Sequence, residues 1–143
     1  VRGSSLLQVR PSVVRRAVVP GKVEIELHDA LVQVVGQGNV ELYPGGDIYD
    51  LRVAFPDGTA WAIDVKDYTS PRRLAVELRQ EYEAQASRRS DPRLGWTAFY
   101  YVVPSYRVQW DVNYLNVVKA NFVDAQVYDS QTILQLAKRK INR

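Results

Sequence analysis

Two runs of alternating apolar and polar residues meet at a tight turn in the first half of the chain. Leu51, Val53 and Phe55 alternate with Asp50, Arg52 and Ala54, and Trp61, Ile63 and Val65 alternate with Ala60, Ala62 and Asp64. A period of two is the mark of a strand. Between the runs stands Pro56-Asp57-Gly58. Pro presets φ for the first turn position and Gly accepts the positive φ that closes a three-residue loop, so a β-hairpin is predicted. Upstream, Val23, Leu27, Ala30 or Leu31, and Val34 recur at helical spacing over residues 22–35, and Gly36 and Gly38 offer stops. Val23 to Leu27 also alternates like a strand, which leaves the start of that element open. Val40 to Tyr43 reads as a short strand.

Downstream of the hairpin, Ser70 followed by Pro71 predicts a helix N-cap and first helical residue. That helix is expected to run to about Arg88 and to bury Leu74, Leu78 and Tyr82. Arg88 to Arg93 is a basic loop. Trp96 to Val103 is nearly continuous in apolar and aromatic residues, as a buried strand would be. Tyr106 to Tyr114 is mixed and reads as loop or edge strand. Leu115 to Phe122 is a short helix, and Ala125 to Tyr128 a last strand. Ser130 is expected to cap a final helix that buries Ile133, Leu134, Leu136, Ala137 and Ile141. The order is that of an α/β domain, a sheet with helices on its faces.

The hairpin register has a chemical consequence. With Pro56 to Gly58 as the loop, Val53 faces Trp61 and Asp50 faces Asp64. Directly opposed residues of an antiparallel pair have Cβ atoms roughly 4.5–5.5 Å apart, and like charges there repel. Lys66, two residues beyond Asp64, points to the same face. Strand stability does not ask for two carboxylates and an ammonium at one end of a hairpin; a divalent cation would, and hard oxygen ligands suit Mg²⁺. A two-residue Asp57-Gly58 turn would shift the register by one and open the way for Asp47 in place of Asp50. The three-residue loop is preferred because it keeps Pro56 out of the ladder.

An Asp opening one strand, a hairpin, and Asp-x-Lys ending the next strand resembles the PD-(D/E)xK, or restriction-endonuclease-like, nuclease superfamily. Asp50 matches the first Asp, with Tyr49 where the name-giving Pro would stand; Asp64 and Lys66 match the second pair. The resemblance covers residues 24 to 143. More loosely, the chain is similar to nuclease domains of bacterial defence systems with Piwi-like partners. The resemblance implies a mixed β-sheet flanked by helices and a Mg²⁺- or Mn²⁺-dependent nuclease acting on DNA. It further implies that Asp50, Asp64 and the backbone carbonyl of Val65 hold the metal, that Lys66 serves catalysis, and that a carboxylate of the preceding helix, Glu24 or Glu26, joins the site. Gln80 is followed four residues later by Ala84, which departs from the Gln-x-x-x-Tyr pattern of the exonuclease-like branch.

Charge adds a second layer. The net charge is +3, yet residues 1–23 carry +5, the segment after Asp129 carries +4, and the middle carries −6. Basic ends around an acidic centre suit phosphate-binding flanks on a metal-holding core, and equally suit solvated tails. Residues 1–21 are read as a basic extension and 22–143 as the nuclease-like domain. With no cysteine among 143 residues there is no thiol nucleophile or disulfide, and His28 is the only histidine. Ser-His-Asp and Cys-His chemistry are therefore excluded, and no Walker-type phosphate loop is present. No apolar run is long enough for a membrane span and no signal peptide is legible, which fits a cytoplasmic protein. Methionine is also absent, so the chain reads as a piece of a longer protein, with other domains or subunits of a defence complex as partners and a homodimer allowed. The rival reading is an inactive module of the same fold that binds nucleic acid or a partner protein.

Overall fold

The computed structural model describes residues 21–44, 49–84 and 95–142. The N-terminal extension, Asp47 and the basic loop from Arg88 to Arg93 lie outside the described residues.

Helix α1, Lys22–Val35, resolves the ambiguity at its start in favour of helix. The Gly21 N–H donates to Glu24 Oε2 at 2.9 Å, which satisfies one orphan donor of the first turn. Gly36, with φ 96°, stops the helix and returns its N–H to the Val32 carbonyl at 2.8 Å. Strand β1, Val40–Leu42, pairs antiparallel with β2, Leu51–Ala54, which pairs antiparallel with β3, Ala60–Val65. The register is the one the three-residue loop dictates: Val53 lies opposite Trp61 and Leu51 opposite Ile63. Gly58 takes φ 90°, and Asp57 Oδ1 accepts from the Thr59 N–H at 2.9 Å and its hydroxyl at 2.6 Å. Lys140 Nζ holds the other Asp57 oxygen at 3.0 Å, so the last helix pins the hairpin tip.

Helix α2, Pro71–Ala84, crosses from β3 to β4, Ala98–Val103, which lies parallel to β3. The Ser70 hydroxyl accepts from the Arg73 N–H at 3.2 Å, as an N-cap would. Two short helices follow, α3, Ser105–Trp110, and α4, Tyr114–Asn121, before β5, Val127–Asp129, adds in parallel at the edge. Helix α5, Ser130–Ile141, ends the domain. The five strands stand in chain order, two antiparallel pairings followed by two parallel ones.

The mixed sheet is covered on both faces. Leu27 and Leu31 of α1 and Ile133 and Ala137 of α5 pack on Leu51, Val53, Ile63 and Val102. On the opposite face Leu74, Ala75 and Leu78 of α2 and Tyr114 and Val118 of α4 pack on Tyr101, Val103 and Val127. Consecutive β4 residues thus feed opposite cores, which is why Trp96 to Val103 shows no alternation. Three expectations are corrected. Tyr106 to Tyr114 is largely helical rather than loop or edge strand; none of the six α3 residues is buried, so no apolar stripe announced it. Tyr82 is not in the stripe of α2 but 37% exposed, its ring edge against Phe122, while Ala75 takes the buried place. The cap of α5 is Asp129, whose Oδ1 accepts from Thr132 N–H at 2.9 Å. Ser130 instead exchanges hydrogen bonds with Ser105, hydroxyl to hydroxyl at 2.7 Å, tying the ends of β4 and β5 together. Among the described residues no helix is long and apolar enough to cross a membrane.

Candidate active site

Asp50 sits at the mouth of the hairpin, one residue before β2. Its N–H donates to Ile63 at 3.1 Å and its carbonyl accepts from Tyr43 at 2.8 Å, so the backbone is fixed from both neighbouring strands. The side chain turns toward β3, where Oδ2 accepts from the Val65 N–H at 2.7 Å. There it comes within hydrogen-bonding reach of Asp64. Burial, then the Asp64 charge, push the Asp50 pKa from the ordinary 3.8 up to about 8, against the pull of the Val65 N–H. The two acids therefore share a site that favours a proton on Asp50 at neutral pH.

Asp64 is the penultimate residue of β3 and Lys66 follows the strand, anchored by its N–H to the Val102 carbonyl at 2.8 Å. Lys66 Nζ lies 3.1 Å from Asp64 Oδ2 and 2.5 Å from Glu81 Oε1. Burial works against the ammonium, but Asp64 and Glu81 outweigh it and raise Lys66 above its usual range, so it is firmly cationic. Glu81 was not foreseen from the sequence. The signal was available: it stands seven residues after Leu74 and three after Leu78, a carboxylate on the buried stripe of α2.

Glu24 reaches the same neighbourhood from α1, and its field contributes to the high pKa of Asp50. Its Oε2 accepts from the Tyr43 hydroxyl at 2.5 Å as well as from Gly21. Burial and then the Glu24 hydrogen bond raise the Tyr43 phenol above its usual range, so it stays a donor. Tyr43 holds φ 49°, a left-handed conformation that costs a non-glycine residue energy and that residues before proline seldom adopt. This strained residue directly follows β1, with its hydroxyl on Glu24. Glu26, the other candidate, has a side chain that is 64% exposed, meets Lys22 at 3.8 Å and lines the neighbouring cleft. His28 bonds to Asp29 at 3.0 Å and joins none of these groups.

Beside these groups lies a cleft of about 750 Å³, lined among others by Glu24, Val65, Asp67, Ser105, Tyr106 and Ser130. It opens at the carboxyl ends of the parallel strands, where α/β sheets bind ligands. Asp67 on its rim accepts from the Tyr106 hydroxyl and, at 2.8 Å, from Arg107 Nε. Burial would raise Asp67, but these two bonds win and lower it. Asp50 and Asp64 bring two carboxylates together at the end of β3. Among the described residues no group of three or more His, Cys, Asp or Glu side chains is disposed to hold a metal ion.

The fold and these side chains define a class: a mixed α/β domain that gathers an acid pair and a lysine where the hairpin meets the parallel half of the sheet. Over residues 21–143 the chain matches the family described as "REase associating with pPIWI_RE", and it belongs to that family of restriction-endonuclease-like modules. No curated protein and no solved structure matches it.

Proposed function

We propose that this domain is a metal-dependent nuclease that hydrolyses phosphodiester bonds of DNA and works with a pPIWI_RE protein in a defence system. The observation that carries the reading is the convergence of Asp50, Asp64 and Lys66 at the end of β3, in a chain of a restriction-endonuclease-like family.

The donor set suits a hard divalent cation. Two crowded carboxylates, one of them favouring a proton near neutral pH, would exchange that proton for Mg²⁺ or Mn²⁺. Asp50, Asp64 and the backbone carbonyl of Val65 would hold the ion. When bound, such an ion neutralises phosphate charge and lowers the pKa of a bound water. Lys66, cationic and held beside Asp64, would stabilise negative charge building on the phosphate oxygens. Glu24, fixed by Tyr43 and Gly21, would complete the site from the α1 side. Of the proposed groups, Glu24 and Val65 line the adjoining cleft, which a DNA strand would approach from this edge.

The test is cleavage of duplex and single-stranded DNA, with RNA alongside, in Mg²⁺ or Mn²⁺ and again in chelator. The wild-type chain should cut DNA only with metal, and Asp64→Asn and Lys66→Met should each lose at least about a hundredfold in rate. Cleavage by Asp64→Asn at the parent rate would remove the assignment. Nucleic-acid binding without cleavage under every metal would favour the inactive module instead.

A further inference from the structure

Glu81 is an expensive residue where it stands. Its α2 neighbours Leu74 and Leu78 are fully buried, and its Oε2 is buried with no hydrogen-bond partner among the described residues. A hydrophobic side chain at that position would serve stability better than a half-satisfied carboxylate. What Glu81 does have is the Lys66 ammonium, 2.5 Å from its other oxygen, nearer than Asp64 at 3.1 Å. Lys66 is thus shared between two carboxylates arriving from different elements, one on the strand and one on the crossover helix.

We propose that Glu81 is a positioning residue for Lys66: it takes the larger share of the ammonium and so leaves Asp64 open to a divalent cation. The inference rests on the nuclease reading, in which Asp64 is a metal ligand. Without Glu81, Asp64 would be the nearest counter-charge of a largely buried lysine, and the ammonium would close on it. A cation arriving at Asp64 would then have to displace that ammonium and meet its repulsion. Groups that orient a metal ligand from behind commonly carry this kind of weight.

The experiment measures Mn²⁺ binding without nucleic acid, from the free-ion signal in electron paramagnetic resonance. Four proteins are compared: wild type, Glu81→Gln, Lys66→Met and the double variant, each checked for folding by circular dichroism. Glu81→Gln should weaken Mn²⁺ binding by about tenfold. In the Lys66→Met background the same change should alter binding by about twofold or less, since no ammonium is left to position. Equal losses in both backgrounds would overturn the proposal, because they would report only a missing negative charge. Unchanged binding by Glu81→Gln would overturn it as well. Should Glu81→Gln not fold, Glu81→Asp, which withdraws the carboxylate by one methylene, takes its place with the same expectations. Absence of Mn²⁺ uptake by wild type would defeat the nuclease reading first, and this inference with it.

Discussion

At the scale of single residues, Asp50 carries the clearest pH signature. Its folded-state pKa is raised from 3.8 to about 8 by burial and then by Asp64. A group raised on folding binds its proton more tightly in the folded state. Its contribution is therefore fully present below 3.8 and is lost as pH rises toward about 8. In chelator, the melting temperature of wild type should fall across that window more than that of Asp50→Asn, which has no proton to lose. A divalent cation that binds the ionised pair should reverse the trend, raising the melting temperature more at the alkaline end than at the acidic end. Paired melts of the two proteins with and without Mg²⁺ check both statements. Parallel wild-type and Asp50→Asn curves in chelator would mean that Asp50 does not titrate in this range. The sequence already placed Asp50 opposite Asp64, because register follows from loop length alone. It did not show the Val65 N–H on Asp50, since a bond from side chain to backbone leaves no trace in a pattern of residue types.

At the scale of elements, legibility followed how local the determinants were. The hairpin was readable because its period and its turn residues lie within one short stretch. Helix α1 was readable from its stripe and Gly36. Helix α3 was not, because it buries nothing, and an exposed helix has no apolar face to announce it. The α5 cap was misread by one residue because Ser130 is claimed by Ser105 from another strand end, a competition that only the fold creates. Glu81 escaped for the same reason: its partner lies fifteen residues away, at the other end of the crossover. The hairpin offers its own test in Asp57. Hydrogen bonds from the Thr59 hydroxyl and N–H, with help from Lys140, hold its carboxyl well below the usual carboxylate range. A depressed pKa gives stability that is present above the ordinary value of 3.8 and lost as pH falls below it. Asp57→Ala should therefore melt below wild type at neutral pH, with the gap narrowing on acidification. A gap that stays constant into strong acid would mean that the charge of Asp57 is irrelevant and only its packing counts.

At the scale of the whole molecule, the question is what the basic ends do. The sequence offered +5 before residue 24 and +4 after Asp129 as phosphate-binding flanks. The structure divides the second group. Lys140 is spent inside the domain, 3.0 Å from Asp57 and over the Phe55 ring at 5.2 Å. Lys138 and Arg139, two and one residues earlier, are exposed. If the flanks bind DNA phosphates, each contacting cation releases a counterion, and log K falls with log salt by about 0.9 for each phosphate neutralised. Lys138→Ala and Arg139→Ala should each flatten that slope by about one and leave the melting temperature unchanged. Lys140→Ala should do the opposite, lowering the melting temperature by loosening the hairpin tip while the slope stays as it was. Removing residues 1–20, with Arg2, Arg10, Arg15 and Arg16, should weaken duplex binding and flatten the slope further without abolishing cleavage, because the proposed catalytic groups all lie outside that segment. Fluorescence anisotropy of a labelled duplex across a salt series, with melts of the same variants, reads both quantities. Binding that ignores salt would assign the basic ends to solvent or to a protein partner. A slope change in Lys140→Ala equal to that of Lys138→Ala would show that the ion pair to Asp57 opens when DNA arrives.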